Sequence, residues 1–183
     1  MAVSSRHGQR SSARVLIVEP ERRYLEMLAR RVADGGYRVA IAQSVQQAVA
    51  ELYRIPVDLI LAEAAGRNFN AGELLGVVRT DAVLRDIPLM VLTGRSDRPA
   101  AVRALRDGAD ATITKPFHFD VLFARIQREI ERRRTIEELR RAHQALDARI
   151  IERAIAIGEL QDRLARSESE RLRLELNLAR MTP

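Results

Sequence analysis

The 183-residue chain contains no cysteine, which excludes disulfides, thiolate metal sites and cysteine nucleophiles. Tryptophan is also missing and aromatics reach only 4%, so stacking platforms for single-stranded nucleic acid are poorly supplied. No apolar run approaches the roughly 20 residues that span a bilayer. The N-terminus, MAVSSRHGQRSSAR, lacks the apolar centre of a signal peptide. A cytoplasmic protein with no membrane partner is expected. Lysine is nearly absent too: of 31 basic residues, 30 are arginine and the one lysine is Lys115. From Phe119 to Met181 there is no proline and a single glycine, Gly158, so little along that stretch interrupts a helix.

A formal charge of +6 invites a nucleic-acid partner, because clustered bases neutralise phosphates. The distribution argues against it. Arg and Lys number 2 against 0 Asp and Glu over residues 1–13, 15 against 13 over 14–118, and 14 against 12 over 119–183. Acids are therefore interleaved with bases throughout, and nucleic acid is not the expected partner.

What is present is a regular alternation. Residues 1–13, rich in Ser, Arg and Gly, read as a disordered tail. RVLIV (14–18) is a short β-branched run, followed by a segment in which Tyr24, Leu25, Leu28 and Val32 recur at helical spacing before a Gly-Gly stop. YRVAIA then reads as a second strand, and SVQQAVAELYR as a helix opening on Ser44 as N-cap. VDLILA (57–62), IPLMVLTG (87–94) and DATIT (110–114) supply three more strands, separated by AGELLGVVRTD and RPAAVRALRDGA as helices. A last helix starts near Phe119. Apolar strands alternating with amphipathic helices predict a five-stranded parallel, doubly wound α/β sheet. In such a sheet ligands sit beyond the carboxyl ends of the strands. Glu19 and Pro20, Glu63, Thr93 and Gly94, and Lys115 and Pro116 fall there. Lysine, a compact charge on a thin stem, suits a narrow pocket that the wide guanidinium fork does not.

The motifs VLIVEPE, GGYRV, VDLILAE, LRDIPLMVLTGR and GADATITKPF, at this spacing, resemble the receiver domain of two-component response regulators over residues 14 to about 132. The resemblance implies a flavodoxin-like fold. It also implies an acidic pair and an acceptor aspartate that hold Mg²⁺, a phosphate accepted from a histidine kinase, and a hydroxyl and a lysine that bind the phosphoryl oxygens. Lys115 matches that lysine, Thr93 the hydroxyl, and Glu19 the first acid. The acceptor position holds Glu63 instead of aspartate. Its extra methylene moves the carboxylate outward by about an ångström, in a site where positioning supplies most of the catalysis. Pro20 replaces the second acid, so no cofactor is expected and Mg²⁺ binding is weakened, with Glu21 as the substitute ligand. Thr112 stands where an aromatic switch residue is common, and the loop AAGRNFNAG lacks the usual Met-Pro-Gly-type segment. The set is that of a degenerate pseudo-receiver. Three arrangements remain open for the surviving residues: a plain Lys115–Glu63–Glu19 ion cluster with Thr93 capping the next helix or satisfying a loop amide, a Glu63 that mimics phosphorylation by reaching Thr93 and Lys115, or residual phosphorylation or metal binding.

After the receiver-like region (14–132), residues 133–183 read as a coiled-coil stalk. Placing Ile136 at a and Leu139 at d gives a seam of Ile136, Leu139, His143, Leu146, Ile150, Arg153, Ile157, Leu160, Leu164, Ser167, Arg171, Leu174, Leu178 and Met181, ten of the fourteen apolar. Ile at a with Leu at d favours a parallel homodimer. His143 lies on this seam without the acidic neighbour of a kinase dimerisation motif and reads as structural. The sequence therefore predicts a non-enzymatic signalling adaptor whose partner is a kinase or effector protein. A phosphorylatable regulator and an Arg-rich scaffold that binds nucleic acid are the rival readings.

Overall fold

A computed structural model describes residues 13–66, 69–95 and 97–181, with side chains through Arg171 and at Arg173. The strands are β1 (Arg14–Val18), β2 (Arg38–Ala42), β3 (Leu59–Glu63), β4 (Ala65–Gly66), β5 (Phe69–Asn70), β6 (Leu89–Thr93) and β7 (Ala111–Thr114). Five of them form one parallel sheet, as the sequence predicts, and their order is β2-β1-β3-β6-β7. The pair β4 and β5 is antiparallel and separate, a hairpin set into a segment that the sequence reads only as a Gly and Asn loop.

The helices are α1 (Arg22–Asp34), α2 (Val45–Arg54), α3 (Ala71–Thr80), α4 (Arg98–Arg106) and α5 (Phe119–Met181). Side chains alternate across a strand, so each strand feeds two cores. Leu16, Val18, Ile60, Ala62 and Val91 pack with α2, α3 and α4. Val15, Ile17, Leu59, Leu61, Met90 and Leu92 pack with α1 and the first turns of α5, at Leu122, Ile126 and Ile130. Burial on both sides explains why these strands are apolar without alternation.

Helix boundaries follow local chemistry. The Ser44 hydroxyl accepts the Gln47 N–H at 3.2 Å, the predicted cap. The α1 helix stops at Gly35 and Gly36, and Gly36 takes a φ of 89°, which side-chain-bearing residues rarely adopt. Ahead of α4 the cap is Asp97, whose carboxylate accepts the Ala100 N–H at 3.0 Å. That corrects the expectation that Thr93 caps this helix.

The chain divides into two compact units between Thr135 and Ile136. Of the tail expected over 1–13, residues 1–12 lie outside the described residues. Ala13 is buried and its carbonyl accepts the Arg38 N–H at 2.9 Å, so it belongs to the core. In the second unit the seam side chains Ile136, Leu139, Leu146, Ile150, Ile157, Leu160 and Leu164 are all exposed along an unbroken helix. Those of Leu174 and Leu178 lie outside the described side chains. Among the described residues no helix is long and apolar enough to cross a membrane.

Candidate functional site

The register of the sheet assembles the site. Val18 pairs with Ala62, which brings the next residues, Glu19 and Glu63, side by side at the carboxyl end of β1 and β3. From the far side, the Lys115 N–H donates to the Thr93 carbonyl at 2.7 Å, fixing where its side chain can go. The ammonium Nζ then donates to Glu63 Oε2 at 2.7 Å and sits 4.7 Å from the centroid of the Tyr24 ring. A point charge on a thin stem satisfies both contacts at once. Both side chains of the pair are largely shielded from solvent, so the attraction is poorly screened.

Glu19 is more deeply placed, with 4% of its surface exposed. Its Oε1 accepts the Glu21 N–H at 3.0 Å, whereas Oε2 is buried with no hydrogen-bond partner. Burial pushes the Glu19 carboxyl up to about 7; the Glu21 N–H opposes this, the Glu63 carboxylate adds to it, and the Lys115 ammonium opposes it. In its protonated form Glu19 has a proton to donate to Glu63, which gives the orphan oxygen a partner. Burial likewise raises the Tyr24 hydroxyl to about 12, with the Glu63 and Glu19 carboxylates adding to the effect. Glu19, Pro20, Glu21, Arg22, Tyr24, Glu63, Ala65, Gly66 and Lys115 line a cavity of about 550 Å³.

A resident Mg²⁺ takes about six oxygen ligands in strict geometry. The cavity is lined by three carboxylates, Glu19, Glu21 and Glu63, and Lys115 already neutralises the last of them. Pro20 supplies no side-chain oxygen and is wedged against the hairpin: a Cβ on Gly66 would collide with Pro20 Cγ. Among the described residues no three acids or histidines are grouped to hold a metal. The donor set does not fit Mg²⁺, and Glu21, which lines the same cavity from an exposed position, does not complete it.

Thr93 and Thr112 lie on the fourth and fifth strands that the sequence predicts. Thr93 is fully buried, and the register Thr93↔Thr114 sets the two hydroxyls beside each other at 3.3 Å. Its Oγ1 also reaches the Ile113 carbonyl at 3.5 Å. The hydroxyl thus faces β7 and not Glu63, which removes one of the two contacts that mimicry of a phosphoryl group requires. Thr112 sits on β7, where its carbonyl accepts from Arg125 at 2.6 Å.

Sequence reasoning missed Tyr24 as a site residue, because helical spacing marks it only as a core position. It also missed Arg79. This side chain donates to the carbonyls of Gly108 (2.8 Å), Arg85 (2.8 Å) and Ile87 (2.9 Å), and pairs with Asp110 at 2.6 Å. The clamp ties α3 to the segments entering β6 and β7, the strands that end at Thr93 and just before Lys115.

Comparison with known proteins agrees with this geometry. The family model described as response regulator receiver domain matches residues 15–127. The chain belongs to the response regulator receiver family. The receiver is 34% identical over 119 residues to the phosphate regulon transcriptional regulatory protein PhoB of Klebsiella pneumoniae, covering 65% of this chain and 52% of that one. It is 31% identical over 120 residues to the transcriptional regulatory protein TcrA of Mycobacterium tuberculosis, covering 66% and 47%. The chain thus spans about half the length of these relatives. Among solved structures, the receiver domain of a signal transduction histidine kinase from Syntrophus aciditrophicus is 30% identical with a TM-score of 0.60, covering 65% of this chain and 90% of that one. The receiver therefore belongs to two-component signalling, and its acceptor position carries glutamate paired with lysine.

Proposed function

We propose that the protein is a non-catalytic, cytoplasmic signalling adaptor, a pseudo-receiver that acts by protein contact and pairs with a second copy through its stalk. The observation that carries the reading is the 2.7 Å ion pair between Lys115 Nζ and Glu63 Oε2. Phosphoryl transfer asks for an open carboxylate aligned with the donor phosphorus and charge neutralised by metal. Here the carboxylate is longer, is occupied by the protein's only lysine, and stands in a donor set too poor for the metal. The exposed a and d side chains from Ile136 to Leu164 support self-association, since a seam of this length is costly to leave in water.

The test is incubation of the full chain with Mg²⁺ and acetyl phosphate, followed by intact mass. The proposal expects no added phosphate on the wild-type protein. Incorporation at Glu63 overturns it in favour of a phosphorelay regulator, the reading to which the retained Lys115 lends support.

A further inference from the structure

The stalk carries a second apolar stripe that the a and d seam does not use. Successive helical residues are turned by about 100°, so Ala148, Ile151, Ile155 and Gly158, spaced three and four apart, fall on one line about a third of a turn from Ile150 and Ile157. All four positions are exposed, Ile151 by 61% and Ile155 by 59%. On the outer face of a two-stranded coiled coil these positions are ordinarily polar. A helix pairing along the a and d seam leaves them in water.

The charges say what kind of surface covers them. Between Gln144 and Asp162 the chain has four acids, Asp147, Glu152, Glu159 and Asp162, and two bases, Arg149 and Arg153. In the heptad register every one of the acids borders or ends the second stripe. Both arginines fall on the seam side. Over this window, flanked by Arg141 and Arg163, the helix is divided into an arginine-bearing seam and an isoleucine stripe edged by Glu152 and Glu159 on one side and by Asp147 on the other. An apolar ridge with acids along its edge complements an amphipathic helix whose apolar stripe is flanked by Lys or Arg.

We propose that Ala148–Gly158 is a docking site for a basic amphipathic helix of a partner protein. It extends the adaptor reading by giving the stalk a partner of stated chemistry, and it does not depend on Glu63 being inert. A third helix laid on this stripe buries Ile151 and Ile155 while its bases meet Glu152 and Glu159.

The experiment uses the full chain and a labelled 21-residue synthetic helix with Leu at a and d and Arg at e and g, read by fluorescence anisotropy. Saturable binding that weakens with added salt is expected, reduced at least tenfold in Ile151→Ala/Ile155→Ala. Alanine keeps helix propensity, so that variant stays helical by circular dichroism. Glu152→Gln/Glu159→Gln is expected to flatten the salt dependence while leaving the assembly mass unchanged in light scattering. The proposal is overturned if the peptide binds the stripe variant as tightly as wild type, or if Ile150→Ala/Ile157→Ala alone abolishes binding, which assigns the peptide to the seam. It is also overturned if the stripe variant lowers the assembly mass, because a further copy of this chain then covers the stripe. Phosphate uptake at Glu63 is measured separately and leaves these outcomes readable.

Discussion

Replacing Glu19 with glutamine isolates the electrostatics of the site. The carboxyl is raised from an ordinary 4.5 to about 7 in the folded protein, chiefly by burial. Between those values the native state holds a proton that the unfolded chain has released, so stability falls as pH rises from about 4.5 and levels off above about 7. At about 1.4 kcal/mol for each pKa unit, the interval sets an upper bound of about 3 kcal/mol. Glutamine has the shape of the protonated acid. Its amide can donate to Glu63 and its oxygen can still accept the Glu21 N–H, but it does not titrate. Glu19→Gln should therefore differ from wild type by under about 1 kcal/mol at pH 5 and exceed it by about 2–3 kcal/mol at pH 8. Urea unfolding followed by tyrosine fluorescence reads this cleanly, because Tyr24, Tyr37 and Tyr53 all lie in the receiver and there is no tryptophan. Contributions from groups elsewhere cancel in the difference between the two proteins. A gap that stays constant with pH, or a variant less stable than wild type at pH 8, refutes the account of a proton held on Glu19.

Four other outcomes follow from particular contacts. Lys115→Met leaves Glu63 and Glu19 facing each other without a cation and should cost about 2–4 kcal/mol at pH 8, less at pH 5, by the same urea assay. Arg79→Met strips hydrogen bonds from three carbonyls and from Asp110, and a loss of about 2–4 kcal/mol is expected; a change under about 0.5 kcal/mol means the clamp is not formed in solution. Gly66→Ala drives a methyl into Pro20 Cγ, so it should destabilise wild type by about 1–3 kcal/mol yet be nearly neutral beside Pro20→Ala. Ile150→Asp/Ile157→Asp should convert a dimer to a monomer by light scattering, with the receiver's urea transition unchanged; a wild-type mass of one chain removes the homodimer from the proposal.

Much of the fold was legible because its determinants are local or periodic. The Gly-Gly stop, the Ser44 cap and the unbroken apolar strands each specify a boundary or a face without tertiary information. The hairpin of Ala65–Gly66 with Phe69–Asn70 was not legible, since two-residue strands carry no period. Asp97 was readable in principle: an acid just before Arg-Pro is a helix-start pattern, and Pro99 near the first turn strengthens it. At the site, the ends of the strands brought together the predicted Glu19, Glu63 and Lys115. Which way the Thr93 hydroxyl points depends on the neighbouring Thr114, a pairing set by strand register and invisible along the chain. Tyr24 shows the same limit: helical spacing places it toward the sheet, but only the tertiary fold sets its ring against the lysine. That ring and Glu63 together give a physical reason for one lysine in a chain of arginines.

The most direct measurement on the central claim is an amide NMR spectrum of the full chain in Mg²⁺ before and after beryllofluoride, with Glu63→Asp in parallel. The account predicts that the amides of Glu19, Glu63, Thr93 and Lys115 do not move in the wild-type protein. Saturable shifts of those four amides in the wild type contradict it and return the receiver to phosphoryl chemistry.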